Sequence, residues 1–189
     1  MTTSTSTIDL TALTGTYAID TAHSRLGFVA RHAMVTKVRG AFNEWEGTAT
    51  IDGADPSKSS ADITIQVASI DTRNAQRDEH LRNNDFLDAD NHPTISFKTT
   101  SIERGDGSEF DVTGDLTIRG TTKSVTFPLE FTGAVTDPFG NERIGFDGSL
   151  VINRKDWGVN WNAALEAGGV LVSEKVTLEF EISAVKTTA

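Results

Sequence analysis

Hydrophobic and polar residues alternate with a period of two in a series of short segments along this chain of 189 residues. In one segment Ile63, Ile65 and Val67 are each separated by a polar residue, and in another Ile95 and Phe97 are. Alternation in a β-strand places successive side chains on opposite faces. The pattern therefore predicts strands with one dry and one wet face.

Nine such segments are separated by short stretches rich in Gly, Pro, Asp and Asn, which favour turns. The predicted strands cover residues 16–19, 25–31, 38–51, 61–69, 94–103, 109–118, 123–135, 142–152 and 175–185. Short polar links favour antiparallel pairing of neighbouring strands. We predict an all-β fold, a single extended antiparallel barrel of about eight strands with one or two short helices.

Two segments break the strand pattern. Residues 74–84 are good helix formers with Thr72 or Asn74 as N-cap, and a short helix there could plug one barrel end. Residues 160–169 contain a second helix-compatible stretch. Residues 1–14, rich in Ser and Thr, are expected to form a flexible tail, which leaves residues 15–189 as one domain.

Charge and composition exclude several classes of function. With 27 acidic and 17 basic residues the net charge is -10, so the surface should repel nucleic acid and, at long range, anionic membranes. The absence of Cys excludes disulfides and thiolate chemistry. The first residues lack the features of a secretory signal, and no apolar run is long enough to span a bilayer, so we expect a cytoplasmic protein without a membrane span.

Candidate chemistry is sparse. The chain has no nucleophile elbow, phosphate-binding glycine loop or dinucleotide motif, and its four histidines never occur at i, i+4 spacing. A metal site from His80, His92 and Asp78 is an alternative to a solvated helix, but we predict no metal and no cofactor. His23 either pins the start of a strand through a carboxylate or contacts a ligand, and Arg73, Arg77 and Arg82 either form ion pairs or neutralise an anionic head group.

Ten Phe residues against one Tyr supply apolar surface without polar atoms. On the strand pattern, Phe28, Phe42, Phe97, Phe127 and Phe131 share the inner face. Such a set suits a packed core or a hydrocarbon pocket, and the residues alone leave both interpretations open.

A combined motif then resembles the YceI-like family of lipid-binding, lipocalin-like proteins. Its parts are Thr72, Arg77-Asp78, His80-Leu81, Asp85-Phe86, residues 93–97, Gly114 to Gly120, and residues 153–158, and the similarity runs from about Tyr17 to Val185. The resemblance implies an extended barrel whose apolar cavity binds a polyisoprenoid or other long-chain lipid, often in a homodimer, without chemistry on the ligand. Many members of the family carry an export signal, which this sequence lacks.

This resemblance and the strand pattern together predict storage or transport of a lipid of the quinone or polyprenyl phosphate type. The predicted ligand-binding residues are Leu26, Phe28, Phe42, Ile63, Ile65, Val67, Ile95, Phe97, Leu116, Phe127, Leu129 and Trp157, with His23, Arg77 and His80 as head-group candidates. The alternatives are a cofactor-free isomerase or cyclase acting on an apolar substrate, and a solid-core interaction module.

Overall fold

Antiparallel strands make up most of the molecule, which the computed structural model describes from residue 9 to residue 188. The strands are β1 (Gly15–Ile19), β2 (Arg25–His32), β3 (Thr36–Phe42), β4 (Trp45–Ile51), β5 (Ser60–Gln66), β6 (Ile70–Asp71), β7 (Thr94–Arg104), β8 (Glu109–Ile118), β9 (Thr121–Thr136), β10 (Glu142–Asn153) and β11 (Lys175–Thr188). One α-helix, α1 (Ala75–Arg82), lies between β6 and β7.

Eight of these strands close into a barrel. The hydrogen-bonded order is β1-β4-β5-β7-β8-β9-β10-β11, and β11 returns to β1 through the pairing of residues 16–19 with residues 184–188. All described pairings are antiparallel. The predicted extended barrel of about eight strands is confirmed.

Two strands that the sequence pattern predicts as continuous are broken in the structure. The segment 38–51 is interrupted between β3 and β4, and the segment 61–69 ends in a 3-10 turn at Val67–Ser69. The two breaks lie side by side, because Gln66 donates its N–H to the carbonyl of Glu44 and Asn43 donates to the carbonyl of Ser69. Beyond the breaks, β2, β3 and β6 extend the sheet at one end of the barrel.

Helix α1 and the segment 83–93 cover this end, which we call the lid end. Asn74 caps the helix by accepting the N–H of Arg77, as the sequence predicts. Leu81, Phe86 and Leu87 pack into a hydrophobic cluster with Trp157 and its neighbours. A second cluster, around Tyr17, lies at the opposite end.

Two local predictions are wrong. Residues 160–169 form no helix, because the chain folds back at Gly168 and Gly169, both at positive φ, and Leu171 donates its N–H to the carbonyl of Ala163. Residues 9–14 are not a loose tail: Leu10 is buried and Thr11–Leu13 forms a 3-10 turn against the barrel. Residues 1–8 lie outside the described residues.

Among residues 9–188 there is no helix with the length and apolar character that a bilayer crossing by helix would demand.

Candidate functional site: an apolar cavity and its mouth

An elongated cavity of about 340 Å³ occupies the barrel. Its wall runs from Leu10 at one end to Val172 at the lid end. On β11 alone the lining residues are Val176, Leu178, Phe180, Ile182 and Ala184, a stretch of about 26 Å along the strand at 3.3 Å per residue. The volume lies near the lower end of the range of about 300–1,000 Å³ for small-molecule pockets. The cavity is therefore long and narrow.

Aliphatic and phenyl side chains form nearly all of the wall. Three phenyl rings cross its middle, with centroids 5.6 Å apart for Phe97 and Phe127 and 5.0 Å apart for Phe127 and Phe180. Among the described lining residues the ionisable side chains are Asp52 and Arg154. Asp52 already accepts the N–H groups of the turn that follows it, so the cavity suits a hydrocarbon.

Arg154 closes the lid end through main-chain contacts. Its Nε donates to the carbonyl of Ser173 at 2.9 Å, Nη1 to Val159 at 2.7 Å and Nη2 to Val172 at 3.3 Å. Burial lowers the pKa of Arg154 from its usual value, although a guanidinium stays protonated at neutral pH. Its donors are committed to the loop that it anchors, which leaves a structural role.

A solvent-open depression of about 620 Å³, which we call the vestibule, adjoins the cavity at the lid end. Phe28, Ala30, Leu81, Phe86 and Val172 line both spaces. Most of the surface that the vestibule exposes is apolar, but polar residues also stand on its wall, namely Arg31, His32, Asn74, Gln76, Arg77, His80, Asn83 and Asp85. The apolar cavity thus opens into a mouth that carries polar side chains.

Three rings stand where the vestibule meets the cavity. His80 packs edge-on against Phe86 at 4.9 Å and against Trp161 at 4.8 Å, and the Phe86 and Trp161 centroids are 5.2 Å apart. Nε2 of His80 lies 2.8 Å from Oδ2 of Asp85, which orients the imidazole. Movement of these rings would change the width of the passage.

A buried polar network holds α1 in place beside the mouth. Asp78, only 7% exposed, accepts from the N–H of Thr72 at 2.8 Å and from its hydroxyl at 2.5 Å. Arg77 donates from Nε to the Thr72 hydroxyl at 2.7 Å and from Nη2 to the Thr72 carbonyl at 2.8 Å. The Arg-Asp pair of the motif therefore positions the helix.

Eleven of the twelve predicted ligand-binding residues line the cavity, namely Leu26, Phe28, Phe42, Ile63, Ile65, Ile95, Phe97, Leu116, Phe127, Leu129 and Trp157. Val67 does not: its 3-10 turn places it in the solid packing, where it is 1% exposed. Contact of the eleven with a ligand stays a prediction.

The three head-group candidates lie in two different parts of the structure. Arg77 and His80 lie on the vestibule wall, whereas His23 is outside both spaces, with Nδ1 2.8 Å from Oδ2 of Asp20. His80, His92 and Asp78 do not converge on one site. Asp78 accepts a hydrogen bond from Thr72, and the His80 imidazole is hydrogen-bonded to Asp85. No group of three potential metal ligands occurs within the described part of the chain.

The end opposite the lid carries an ionic clasp. Arg143 donates from Nη1 to Asp20 at 2.6 Å and from Nε to Asp137 at 2.8 Å. The guanidinium, together with backbone N–H donors, holds the pKa of both carboxyls below their usual range. The clasp joins the end of β1 to the β9–β10 turn, and it lies away from the vestibule.

Several wall residues escaped the sequence prediction. Phe180 and Ile182 follow the alternation of β11 and could have been assigned by parity. Phe86 and Trp161 lie in irregular segments, where no period indicates the direction of a side chain.

The sequence profile of the YceI-like domain matches residues 17–184. The UPF0312 protein SAS2572 of Staphylococcus aureus is 41% identical over 169 residues, which cover 89% of this chain and 95% of that protein. The crystal structure of Burkholderia cenocepacia BcnA superposes with a TM-score of 0.77 at 27% identity, covering 87% of this chain and 98% of BcnA.

A polyisoprenoid binding domain from Saccharophagus degradans shares the fold, with a TM-score of 0.69 at 16% identity over 90% of this chain and 98% of that domain. The profile match covers the whole barrel, and the lid motif lies within it. The chain belongs to the YceI-like family.

Proposed function

We propose that this protein binds a long-chain lipid of the polyisoprenoid class in the barrel cavity and performs no chemistry on it. The observation that carries the proposal is the shape and lining of the cavity, which is elongated, aliphatic and aromatic along the length of β11. The name of the Saccharophagus degradans domain, whose fold this chain shares, supports the same ligand class.

Burial of hydrocarbon supplies the affinity, at about 25 cal/mol per Å² of apolar surface removed from water. The entropy of fixing a flexible chain opposes it. A branched polyisoprenoid matches a narrow wall of Leu, Ile and Phe side chains over many contacts, whereas a compact molecule would use only part of the length. The cavity therefore favours a long ligand over a compact one.

Head-group recognition belongs to the vestibule. Arg31, His32, Arg77 and His80 can meet an anionic or polar group there, while the tail passes Phe86 into the cavity. Two donors of Arg77 are already used by Thr72, so we expect weak head-group selection and a dominant contribution from the tail.

The lining of the cavity supports storage or transport rather than catalysis. An isomerase or cyclase needs a titratable group that reaches the substrate. Of the ionisable lining residues described, Asp52 accepts two main-chain N–H groups at Oδ1, and each of the three guanidinium nitrogens of Arg154 donates to a main-chain carbonyl. This arrangement supports a binding role.

The test is native mass spectrometry of protein isolated from its own organism, followed by organic extraction of any bound mass. Purified protein is also incubated with a menaquinone and with a polyprenyl phosphate. A stoichiometric isoprenoid adduct is expected. Failure to retain either probe would contradict the proposal, and conversion of a bound probe would favour the enzyme alternative.

A matched pair of variants tests the location. Ile65→Lys places a charge on the cavity wall, whereas Thr64→Lys places the same charge on the outer face, directly across from Glu46. Ile65→Lys should lose the adduct and Thr64→Lys should keep it, with circular dichroism showing that both fold. Equal retention by the two variants would overturn the assignment of the cavity.

A further inference from the structure

The β2–β3 hairpin ends in an exposed apolar tip. Met34 is 62% exposed and Val35 is 73% exposed, and Val170 on the facing loop is also exposed. The two loops are tied together, because Ala33 donates its N–H to the carbonyl of Leu171 at 2.7 Å and the Met34 sulfur lies against Gly169. We call Met34, Val35 and Val170 the docking tip.

The backbone conformation of this turn does not explain why its residues are apolar. Ala33 and Met34 have φ of 51° and 63°, a region in which Gly, Asn and Asp are the inexpensive residues. A long apolar side chain at such a position gains nothing from local conformation, and Met34 stays 62% exposed although its sulfur lies against Gly169. The methionine therefore indicates an external apolar contact.

Positive charge flanks the docking tip on its hairpin side, whereas the facing loop carries Glu166. Residues 21–43 contain Arg25, Arg31, Lys37, Arg39 and no Asp or Glu, although the chain as a whole carries a net charge of -10. Arg25 pairs with Glu179, whereas Arg31, Lys37 and Arg39 are exposed and make no ion pair with any carboxylate in residues 9–188. Charge is thus strongly segregated toward this hairpin.

The hairpin also forms one wall of the vestibule. Arg31 and His32 line the vestibule from β2, and Leu171 and Val172 line it from the facing loop. A surface that received the docking tip would lie beside the mouth of the cavity.

We propose that the β2–β3 hairpin docks the protein on an anionic phospholipid bilayer, with Met34, Val35 and Val170 inserted among the acyl chains and Arg31, Lys37 and Arg39 against the head groups. Apolar insertion combined with basic flanks is the chemistry of interfacial binding. Each cation near an anionic surface contributes about fivefold to partitioning. Because screening limits the interaction to about 8 Å at physiological salt, the hairpin outweighs the distant acidic surface.

The docking proposal does not depend on the proposed function. Only its consequence does: a lipid could pass between the bilayer and the cavity without crossing water. The β9–β10 hairpin at the opposite end provides the contrast. It also exposes apolar residues, Val135 at 65% and Phe139 at 89%, but Asp137 and Glu142 lie in and beside its turn, so it lacks complementarity to an anionic surface.

The experiment is flotation of the full chain with vesicles of phosphatidylcholine alone and of phosphatidylcholine mixed with phosphatidylglycerol. Wild type should float with the mixed vesicles only, and less so as salt is raised. The double variant Met34→Asp/Val35→Asp should lose at least tenfold in partitioning, whereas Val135→Asp should keep wild-type binding. Asp is tolerated at positive φ, so the turn should be preserved.

Charge variants give a second arm. Arg31→Glu/Lys37→Glu should abolish flotation, Lys58→Glu at the opposite end should not, and Glu166→Gln on the turn before Val170 should strengthen it. Absence of wild-type flotation, or equal flotation of the tip variant, would overturn the proposal. Unchanged flotation with a shift from dimer to monomer in sedimentation would assign the tip to self-association instead.

The two proposals fail separately. Ile65→Lys should lose lipid from the cavity yet still float, and Met34→Asp/Val35→Asp should bind a menaquinone offered in detergent yet not float.

Discussion

The ring of Phe28 lies directly over Gly40, its cross-strand partner in the β2–β3 pair. A Cβ atom built on Gly40 would come within 2.4 Å of the Phe28 ring. The glycine lets the ring lie flat against the wall, and Phe28 lines both the cavity and the vestibule. This pair of residues therefore bounds the passage between the cavity and the vestibule on the β2–β3 side.

Gly40→Ala should narrow the passage. The added methyl pushes the Phe28 ring into the lumen, and such overpacking costs about 1–3 kcal/mol of unfolding free energy. We expect a lower lipid stoichiometry in native mass spectrometry and a lower urea midpoint. Gly27→Ala on the neighbouring strand β2 is the control, because its methyl meets the Arg25 side chain. An equal loss of lipid in both variants would contradict the interpretation.

Trp161→Ala should accelerate lipid release. The indole contacts His80 and Phe86 at the mouth, and each aromatic contact contributes about 0.5–1.5 kcal/mol. Release of a fluorescent polyprenyl probe to acceptor vesicles, followed by stopped flow, should be about five- to tenfold faster. Phe139→Ala, an exposed aromatic at the other end, should leave the rate unchanged, and a slower or unchanged rate in Trp161→Ala would speak against a gate.

Thr72→Val should loosen α1. The substitution removes the hydroxyl that donates to buried Asp78 and accepts from Arg77, at a cost of about 1–3 kcal/mol. Hydrogen exchange of residues 75–82 should rise more than that of the barrel strands. Thr122→Val, which removes a hydroxyl paired with Thr117 on the surface, is the control and should change neither quantity much.

The clasp around Arg143 predicts a pH dependence. Because the folded protein holds the pKa of Asp20 and Asp137 below the ordinary value of 3.8, the clasp stabilises the protein above that pH, and this contribution disappears as the carboxyls protonate below it. Arg143→Gln should therefore lower the unfolding free energy at neutral pH and differ less from wild type toward pH 2. Urea titrations across this range measure it; a difference that grows in acid would contradict the assignment.

Strand parity explains why much of the wall could be predicted. In β5, and in β7 as far as the bulge after Thr99, the period of two is uninterrupted, so Ile63, Ile65, Ile95 and Phe97 all point into the barrel as expected. Parity fails at the 3-10 turn that begins at Val67, which continues the same alternation in sequence but lies in the packing. A pattern of residue types does not reveal where a strand stops.

The residues that form the mouth could not be predicted from strand parity. His80, Phe86 and Trp161 meet across about 80 residues of chain, and two of them lie outside regular structure. Their meeting depends on the Thr72–Asp78 network and on Arg154, which fix the lid and the facing loop through main-chain contacts. The family motif contains Thr72, Asp78 and Arg154, but only the fold shows that these three residues position the mouth.

The pairing of β1 with β11 has a consequence for the timing of assembly. Residues 16–19 of the first strand can pair with residues 184–188 of the last strand only when both have been synthesised. Long-range pairing of this kind slows folding. Because β11 also borders β2 and β10, the wall is incomplete until that strand has left the ribosome. A nascent chain thus has no enclosed interior, and any ligand that the barrel binds would enter only after β11 has been translated.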